Sequence, residues 1–545
     1  MCGCFSSESD PPSQAADAGA DCDADSASCP LLGKLRVALI DDEDGSGISG
    51  VDITITGPDG STQPTGSDGK VVFTSLHPGG YTAQHGSACV SAASGSATVS
   101  AGATADIELR VRHTHAAITI KSLEYSAHNV VEKDTTGNFT APEWLKGRAP
   151  ADQSPVAYAR KKNVAFKATF EVTTKPCRPE TVAVRGAAAF GPANLEWEGN
   201  VSVGPGDAEV TLSLTSKQPL ADEVGFFDAS DIGWEMNPAA RGWAPAGTSR
   251  HTLYVTLGNP SGSPNYWTLL DISCRAAAGK KTEDDFVKAS FTPYAGKLGT
   301  GNGFKRLRDG QELTYYKMGG STPSAGVFAC SDLLSRADGT GRCGAWARFL
   351  VAMHEVHGVT SSAVFGVVPI DAPYLIVRNC DFVGPGKLAV PLTHEGDVDC
   401  KKKGGIPGQG KDNPQFLFGD HALVRHGTGI YDPSYGVGPI ANQRLWEDGG
   451  IAGIGDGIVI ITYDGDRHYI PQKCSPGFIK FTLGAMDTLA TVAAKFGVPS
   501  AKDLYDHPYN AALRGLRAKP GDVKPGDLVL IPRAIASKLT VLRIA

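Results

Sequence analysis

Gly341-Arg342-Cys343-Gly344-Ala345-Trp346-Ala347-Arg348-Phe349-Leu350-Val351-Ala352-Met353 is the stretch around which the rest of the chain is arranged. A glycine-flanked cysteine stands where a loop turns into an apolar helix. The helix is expected to run to about His357, with Gly358 as its stop. A thiol at a helix N-terminus meets the positive end of the helix dipole and unpaired backbone N–H groups, which favour the thiolate. Taken alone, the same cysteine reads more readily as a small apolar residue in the first turn of a core helix, since free cysteine is usually buried and inert. A nucleophile also needs a base within hydrogen-bond reach and a group that orients the base.

His354 and His357 are nearest in sequence, but they lie 11 and 14 residues along the same helix. That is roughly 16 and 21 Å at 1.5 Å per residue, which excludes both as bases. His354-Glu355-Val356-His357 is also not a zinc-binding H-E-x-x-H, since the second histidine comes at i+3. The better candidate is His421, which opens Ala422-Leu423-Val424-Arg425. A tight turn, His426-Gly427-Thr428-Gly429, then leads into Ile430-Tyr431-Asp432-Pro433. A turn centred near residues 426–427 sets His421 opposite Asp432. A two-residue shift makes them diagonal neighbours on one face, and a one-residue shift separates them. His426, in the turn, and His394, in a polar loop, are the rivals.

Gly341-x-Cys343-Gly344-x-x-Ala347 before an apolar helix, with His421 and Asp432-Pro433-Ser434 downstream on adjacent strands, resembles the transglutaminase-like superfamily. The resemblance spans roughly residues 265–470. It implies a papain-like α+β domain with a Cys-His-Asp triad: Cys343 as nucleophile, His421 as general base and acid, and Asp432 as the orienting carboxylate. Trp346 and Tyr431 are the expected substrate contacts. The sequence departs from the superfamily pattern in lacking the usual bulky aromatic shortly after the histidine.

The chain is 545 residues long, so it requires several domains. Its 66 glycines and 35 prolines point to a turn-rich, β-rich architecture. Residues 1–33 are small, polar and acidic, with no Lys or Arg, and are expected to be disordered. Residues 34–112 read as a β-sandwich. Val51-Asp52-Ile53-Thr54-Ile55, Gly57-Pro58-Asp59-Gly60, Asp68-Gly69-Lys70-Val71 and Pro78-Gly79-Gly80-Tyr81 resemble the prealbumin-like repeat of carboxypeptidase regulatory domains and Gram-positive (SpaA-type) surface proteins. Residues 113–264 read as a second sandwich, in which Trp197 and Trp243, if exposed, have sugar-binding potential, but in a sandwich such aromatics are more often core or sheet-packing residues. Residues 265–475 hold the α+β domain.

Residues 476–545 form a small βααβ unit. Asp487-Thr488-Leu489-x-x-Val492-Ala493-x-x-Phe496-Gly497 and Val523-Lys524-Pro525-Gly526-Asp527 resemble a LysM domain. That resemblance implies binding to peptidoglycan or another N-acetylglucosamine polymer. The variant middle, Tyr505-Asp506-His507-Pro508, resembles LysM units of injection-type secretion proteins and implies possible docking to a secretion apparatus.

Composition narrows the function classes. Six acidic residues fall within 1–33, so the remaining chain is close to neutral. With no basic stripe, nucleic acid is not an expected partner. The twelve cysteines include no C-x-x-C, so neither a metal nor another cofactor is expected. No apolar run reaches the ~20 residues of a membrane span, and no apolar leader follows Met1. Synthesis in the cytoplasm followed by export or injection, with action at a cell envelope or in a target cell, is the expected route. The expected activity is cysteine-dependent amide hydrolysis, with peptidoglycan peptides as substrate. The alternatives are a protein-modifying transglutaminase or deamidase, and a non-catalytic adhesion or scaffold protein.

Overall fold

Alternating apolar and polar residues build most of this chain as sheet, and it is multidomain. The computed structural model describes residues 31–87, 89–176, 178–296, 298–315, 330–369, 374–377, 408–412, 417–456, 459–463, 466–470, 473–476, 478–532 and 539–543. The segment 1–33 expected to be disordered lies almost wholly outside them. The chain divides into two compact units. One runs to Ala117 and takes in Thr173–Glu180 and Ser202–Asp207; the other holds the remainder.

In the first unit, Gly33–Asp41 pairs antiparallel with Lys70–Leu76 and parallel with Thr104–Val111. A second sheet runs Ser61–Pro64, Asp52–Thr56, Gly79–His85, Ser94–Val99. Period-two burial explains the layering. Leu35, Val37 and Leu39 come from one sheet and Ile53 and Ile55 from the other, and all meet in one core with Phe73 and Tyr81.

The second unit begins with another pair of sheets. One has the order Val156–Ala159, Ala244–Thr256, Gly225–Pro238, Glu180–Phe190, Ala193–Val203; the other is Glu209–Thr215, Ala165–Thr174, Ala117–Ser126, Trp144–Leu145. Trp197 takes the core role of the two open to it and is fully buried. Its ring packs 5.2 Å from Phe166, and its indole N–H donates to the Val164 carbonyl at 2.9 Å. A buried, hydrogen-bonded indole cannot serve as a sugar platform. Trp243 carries the Arg185 guanidinium over its ring at 4.2 Å.

Four helices follow: α1 (Trp267–Ala276), α2 (Glu283–Gly296), α3 (Cys330–Ser335) and α4 (Cys343–Glu355). Helix α4 packs on an antiparallel sheet of order Val437–Ile440, Gly429–Asp432, His421–His426, Ser362–Pro369, Leu539–Arg543. Its apolar face, including Trp346, Phe349, Leu350 and Met353, is buried in the largest core of the unit. Each such side chain contributes about 1.5–3 kcal/mol. Helix α5 (Gln443–Gly450) follows the sheet's outer strand.

Near the C-terminus, Phe478–Thr482 pairs with Leu528–Pro532, enclosing α6 (Leu489–Phe496), α7 (Ala501–Asp506) and α8 (Ala511–Leu516). Thr488 caps α6, and Gly497 ends it in the left-handed region at φ +70°. This unit does not run to residue 545 as expected. Leu539–Arg543 leaves it and pairs with Ser362–Pro369. A five-residue β run has no local signature for a partner some 170 residues away. No helix among the described residues is long and apolar enough to cross a membrane.

Candidate active site

The loop before α4 is shaped by its glycine. Gly341 lies in a short parallel pair with Tyr315. A Cβ on Gly341 would fall 2.8 Å from Ala345 Cβ and 2.8 Å from Leu333 Cδ2, so no larger residue fits. Arg342 is extended at φ −86°, ψ 179°, and the helix starts at Cys343, which is 4% exposed. Trp346, expected to touch substrate, is fully buried. Its ring lies 5.4 Å from Phe304 and 6.2 Å from Tyr294. Tyr431, the other expected contact, is likewise buried, against Phe291 at 5.0 Å. Both side chains support the site from within the core. Trp346 sits on the apolar stripe of α4, and Tyr431 on a strand whose two faces are both covered.

His421 and Asp432 come together across a hairpin whose turn is Gly427-Thr428, with Gly427 at φ +56°. His426 pairs with Gly429 and Val424 with Tyr431. The turn is therefore centred one residue later than the expected position. His421 and Asp432 are diagonal neighbours on one face, not directly opposed. His421 Nε2 lies 2.9 Å from Asp432 Oδ2, and both residues are buried. The Trp446 indole N–H, from α5, donates to the same oxygen at 3.1 Å. Its ring stacks on the imidazole at 5.6 Å and 6°. Phe418 and Tyr435 flank the imidazole at 5.4 and 5.5 Å.

Burial opposes a charge on His421. The Asp432 carboxylate, by charge and hydrogen bond, and the Cys343 side chain oppose burial, and together they push the imidazole up to about 10. The far nitrogen, Nδ1, is buried and has no hydrogen-bond partner among the described residues. One ring thus faces a carboxylate through Nε2 and interacts with a helix-N-terminal thiol.

Gln409 holds the turn after Asp432. Its side-chain N–H groups donate to Pro433 O and Tyr294 O, each at 2.9 Å, and its Oε1 accepts from Asn302 at 3.2 Å. Neither Trp446 nor Gln409 was identifiable beforehand, because neither lies in a motif with Cys343 or His421.

The rival histidines are occupied elsewhere. His426 Nδ1 lies 3.0 Å from Ser361 Oγ and 3.1 Å from Ser362 Oγ, and its Nε2 lies 3.4 Å from Asp284. Ser362 also bonds His354 at 2.7 Å, which puts His426 at the opposite end of α4 from Cys343. His354 and His357, read as ordinary helix-end residues, are fully buried, and burial pushes each down to about 3. His357 Nδ1 accepts from Leu257 N at 3.1 Å, and its Nε2 lies 2.9 Å from Ser273 Oγ. They tie α4 to its neighbours. His394 lies outside the described residues. Among the described residues, no group of three His, Cys, Asp or Glu is arranged to hold a metal ion.

The Trp446 bond gives a direct prediction. Trp446→Phe keeps the stacked ring and removes only the donor to Asp432. It should cost about 1.5–3 kcal/mol, the range for a hydrogen bond to a charged group, read as a shift in urea midpoint at unchanged slope.

No protein-family model matches the sequence, and no curated protein matches it either. Among solved structures, similarity is found to a DUF3823 family protein from Parabacteroides merdae ATCC 43184. It is 12% identical over 42% of this chain and 100% of that one, with a TM-score of 0.16. It is also found to BcpA, the major pilin subunit of Bacillus cereus, at 10% identity over 41% of this chain and 69% of that one, with a TM-score of 0.18. The major pilin SpaD from Corynebacterium diphtheriae is 11% identical over 41% of this chain and 65% of that one, with a TM-score of 0.16. These are β-rich proteins, and at such scores the likenesses carry no argument about this chain's activity.

Proposed function

We propose that this chain is a cysteine hydrolase that cleaves amide bonds through Cys343, His421 and Asp432, in a domain of transglutaminase-like, papain-like type. The carrying observation is the single buried imidazole that bonds Asp432 at 2.9 Å and interacts with the Cys343 side chain. An imidazolium beside the sulfur and a helix N-terminus behind it both favour negative charge on Sγ. In the reaction, Sγ attacks the carbonyl carbon. The Cys343 backbone N–H, without an intrahelical acceptor at this first position, is available to the oxyanion. His421 gives its proton to the leaving nitrogen, the C–N bond breaks and a thioester remains. His421 then takes a proton from water, the resulting hydroxide attacks the thioester, and Cys343 is released with the carboxylic acid. Asp432 keeps the ring oriented and compensates its charge throughout.

The order at residues 478–532, two paired strands enclosing three short helices where two were expected, supports a LysM reading of that unit, and so a peptidoglycan substrate. The two-sheet first unit supports a prealbumin-like spacer. Iodoacetamide kinetics test the nucleophile. At pH 7, Cys343 in the folded chain should be alkylated at least about tenfold faster than in the urea-unfolded chain. Equal or slower labelling would overturn the proposal.

A further inference from the structure

A cavity of about 150 Å³ opens in the second sandwich, within the second unit, walled by Trp144, Arg148, Asp228, Arg250, His251 and Thr252. The Gly225–Pro238 strand breaks register between Phe227 and Ser230, where Ala229 adopts φ +56°. A bulge carrying a non-glycine residue in the left-handed region is a local departure from regular sheet, and such bulges concentrate beside binding sites.

The floor of the cavity presents one unspent ring nitrogen. The Trp234 indole can only donate, and it does so to Ser249 Oγ at 3.0 Å. Ser249 Oγ also lies 2.8 Å from His251 Nε2, which occupies that ring nitrogen. His251 is 5% exposed, and burial pushes it down to about 3, so it is neutral at pH 7. Its other ring nitrogen, Nδ1, makes no hydrogen bond among the described residues and is open to an occupant of the cavity as donor or acceptor. The rim adds further capacity. Among the described residues Arg148 bonds through Nη1 alone, toward Pro142 O at 2.9 Å. Asp228 receives Thr252 Oγ1 on Oδ1 at 3.2 Å, leaving Oδ2.

Charge and size define the occupant. Arg250 is matched by its bidentate pair with Asp231 at 2.8 and 2.9 Å, and the charge of Arg148 is offset by that of Asp228 on the same wall. A cavity without net charge, offering both donors and an acceptor, suits a neutral hydroxylated molecule over an anion. A volume of this order takes one six-membered ring. The Trp144 and His251 rings meet at 6.1 Å and 53°, forming an aromatic corner for its C–H face.

We propose that this cavity binds a single pyranose unit of a glycan, with Asp228 accepting from its hydroxyls, Arg148 donating to them and His251 Nδ1 bonding a further one. The site is separate from Cys343 and does not rest on the hydrolase reading. Saturation-transfer NMR on the full chain would test it, using free glucose, galactose, mannose and N-acetylglucosamine as probes and inorganic phosphate as competitor. At least one sugar should show transfer that falls about tenfold in both Asp228→Asn and Arg148→Gln, with melting curves unchanged and no displacement by phosphate. Two variants guard against a folding artefact at either position, and they separate this site from any sugar held near residues 478–532. No sugar signal, a sugar signal indifferent to both substitutions, or displacement by phosphate would overturn the proposal.

Discussion

Cys343→Ala should abolish amide hydrolysis while leaving the chain folded. The substitution removes one sulfur atom from the first turn of α4, and the apolar face that anchors the helix lies beyond it. Loss of a covalent nucleophile costs on the order of 10³-fold or more in turnover, because binding and oxyanion contacts alone supply only the residual rate. Peptidoglycan sacculi incubated with the parent chain should yield new muropeptides with free amino and carboxyl ends. The same incubation with the alanine variant should yield none. Identical product profiles from the two proteins would place the chemistry elsewhere.

Asp432→Asn carries the largest expected effect on both stability and pH behaviour. In the parent protein the folded His421 sits at about 10, above the ~6.5 of an unfolded histidine. A raised folded-state value means that the pair's stabilisation is complete below about pH 6.5. It is then lost progressively as pH climbs through 10. Removing the carboxylate leaves burial as the dominant influence, so the imidazole should be neutral at pH 7. Breaking a buried pair costs about 3–5 kcal/mol. The urea midpoint of the variant should therefore fall well below that of the parent at pH 6. The gap should narrow toward pH 10 as the parent loses the same contribution. Alkylation of Cys343 at pH 7 should slow as well, since the neighbouring positive charge is gone. A pH-independent gap between the two proteins would contradict the assignment of charge to His421.

Local patterns carried much of the architecture. Alternation in Leu35-Arg36-Val37-Ala38-Leu39 and in Val51-Asp52-Ile53-Thr54-Ile55 marked buried strand faces, because a strand's two faces repeat every second residue. The apolar spacing at residues 489, 492 and 493 marked the buried face of α6 in the same way. The hairpin bearing His421 and Asp432 was legible to within two residues of register. The uncertainty lay in which pair of residues formed the turn, and that displacement kept both side chains on one face. Exposure was the weak point. Trp346 and Tyr431 were assigned outward roles as substrate contacts, yet each is enclosed by segments distant in sequence.

By itself, the sequence determined that a cysteine begins an apolar helix and that a histidine and an aspartate share the face of one hairpin. Both properties depend on contacts within a dozen residues, where backbone periodicity and turn length govern position. Only the tertiary structure decided that His421, and not His426, interacts with Cys343. It also decided that Trp446 bonds Asp432 and covers the imidazole, that Gln409 braces the following turn, and that Leu539–Arg543 extends the same sheet. Those relations are set by how a helix and strands far apart in the chain pack against one another, and no local period in the sequence encodes that packing.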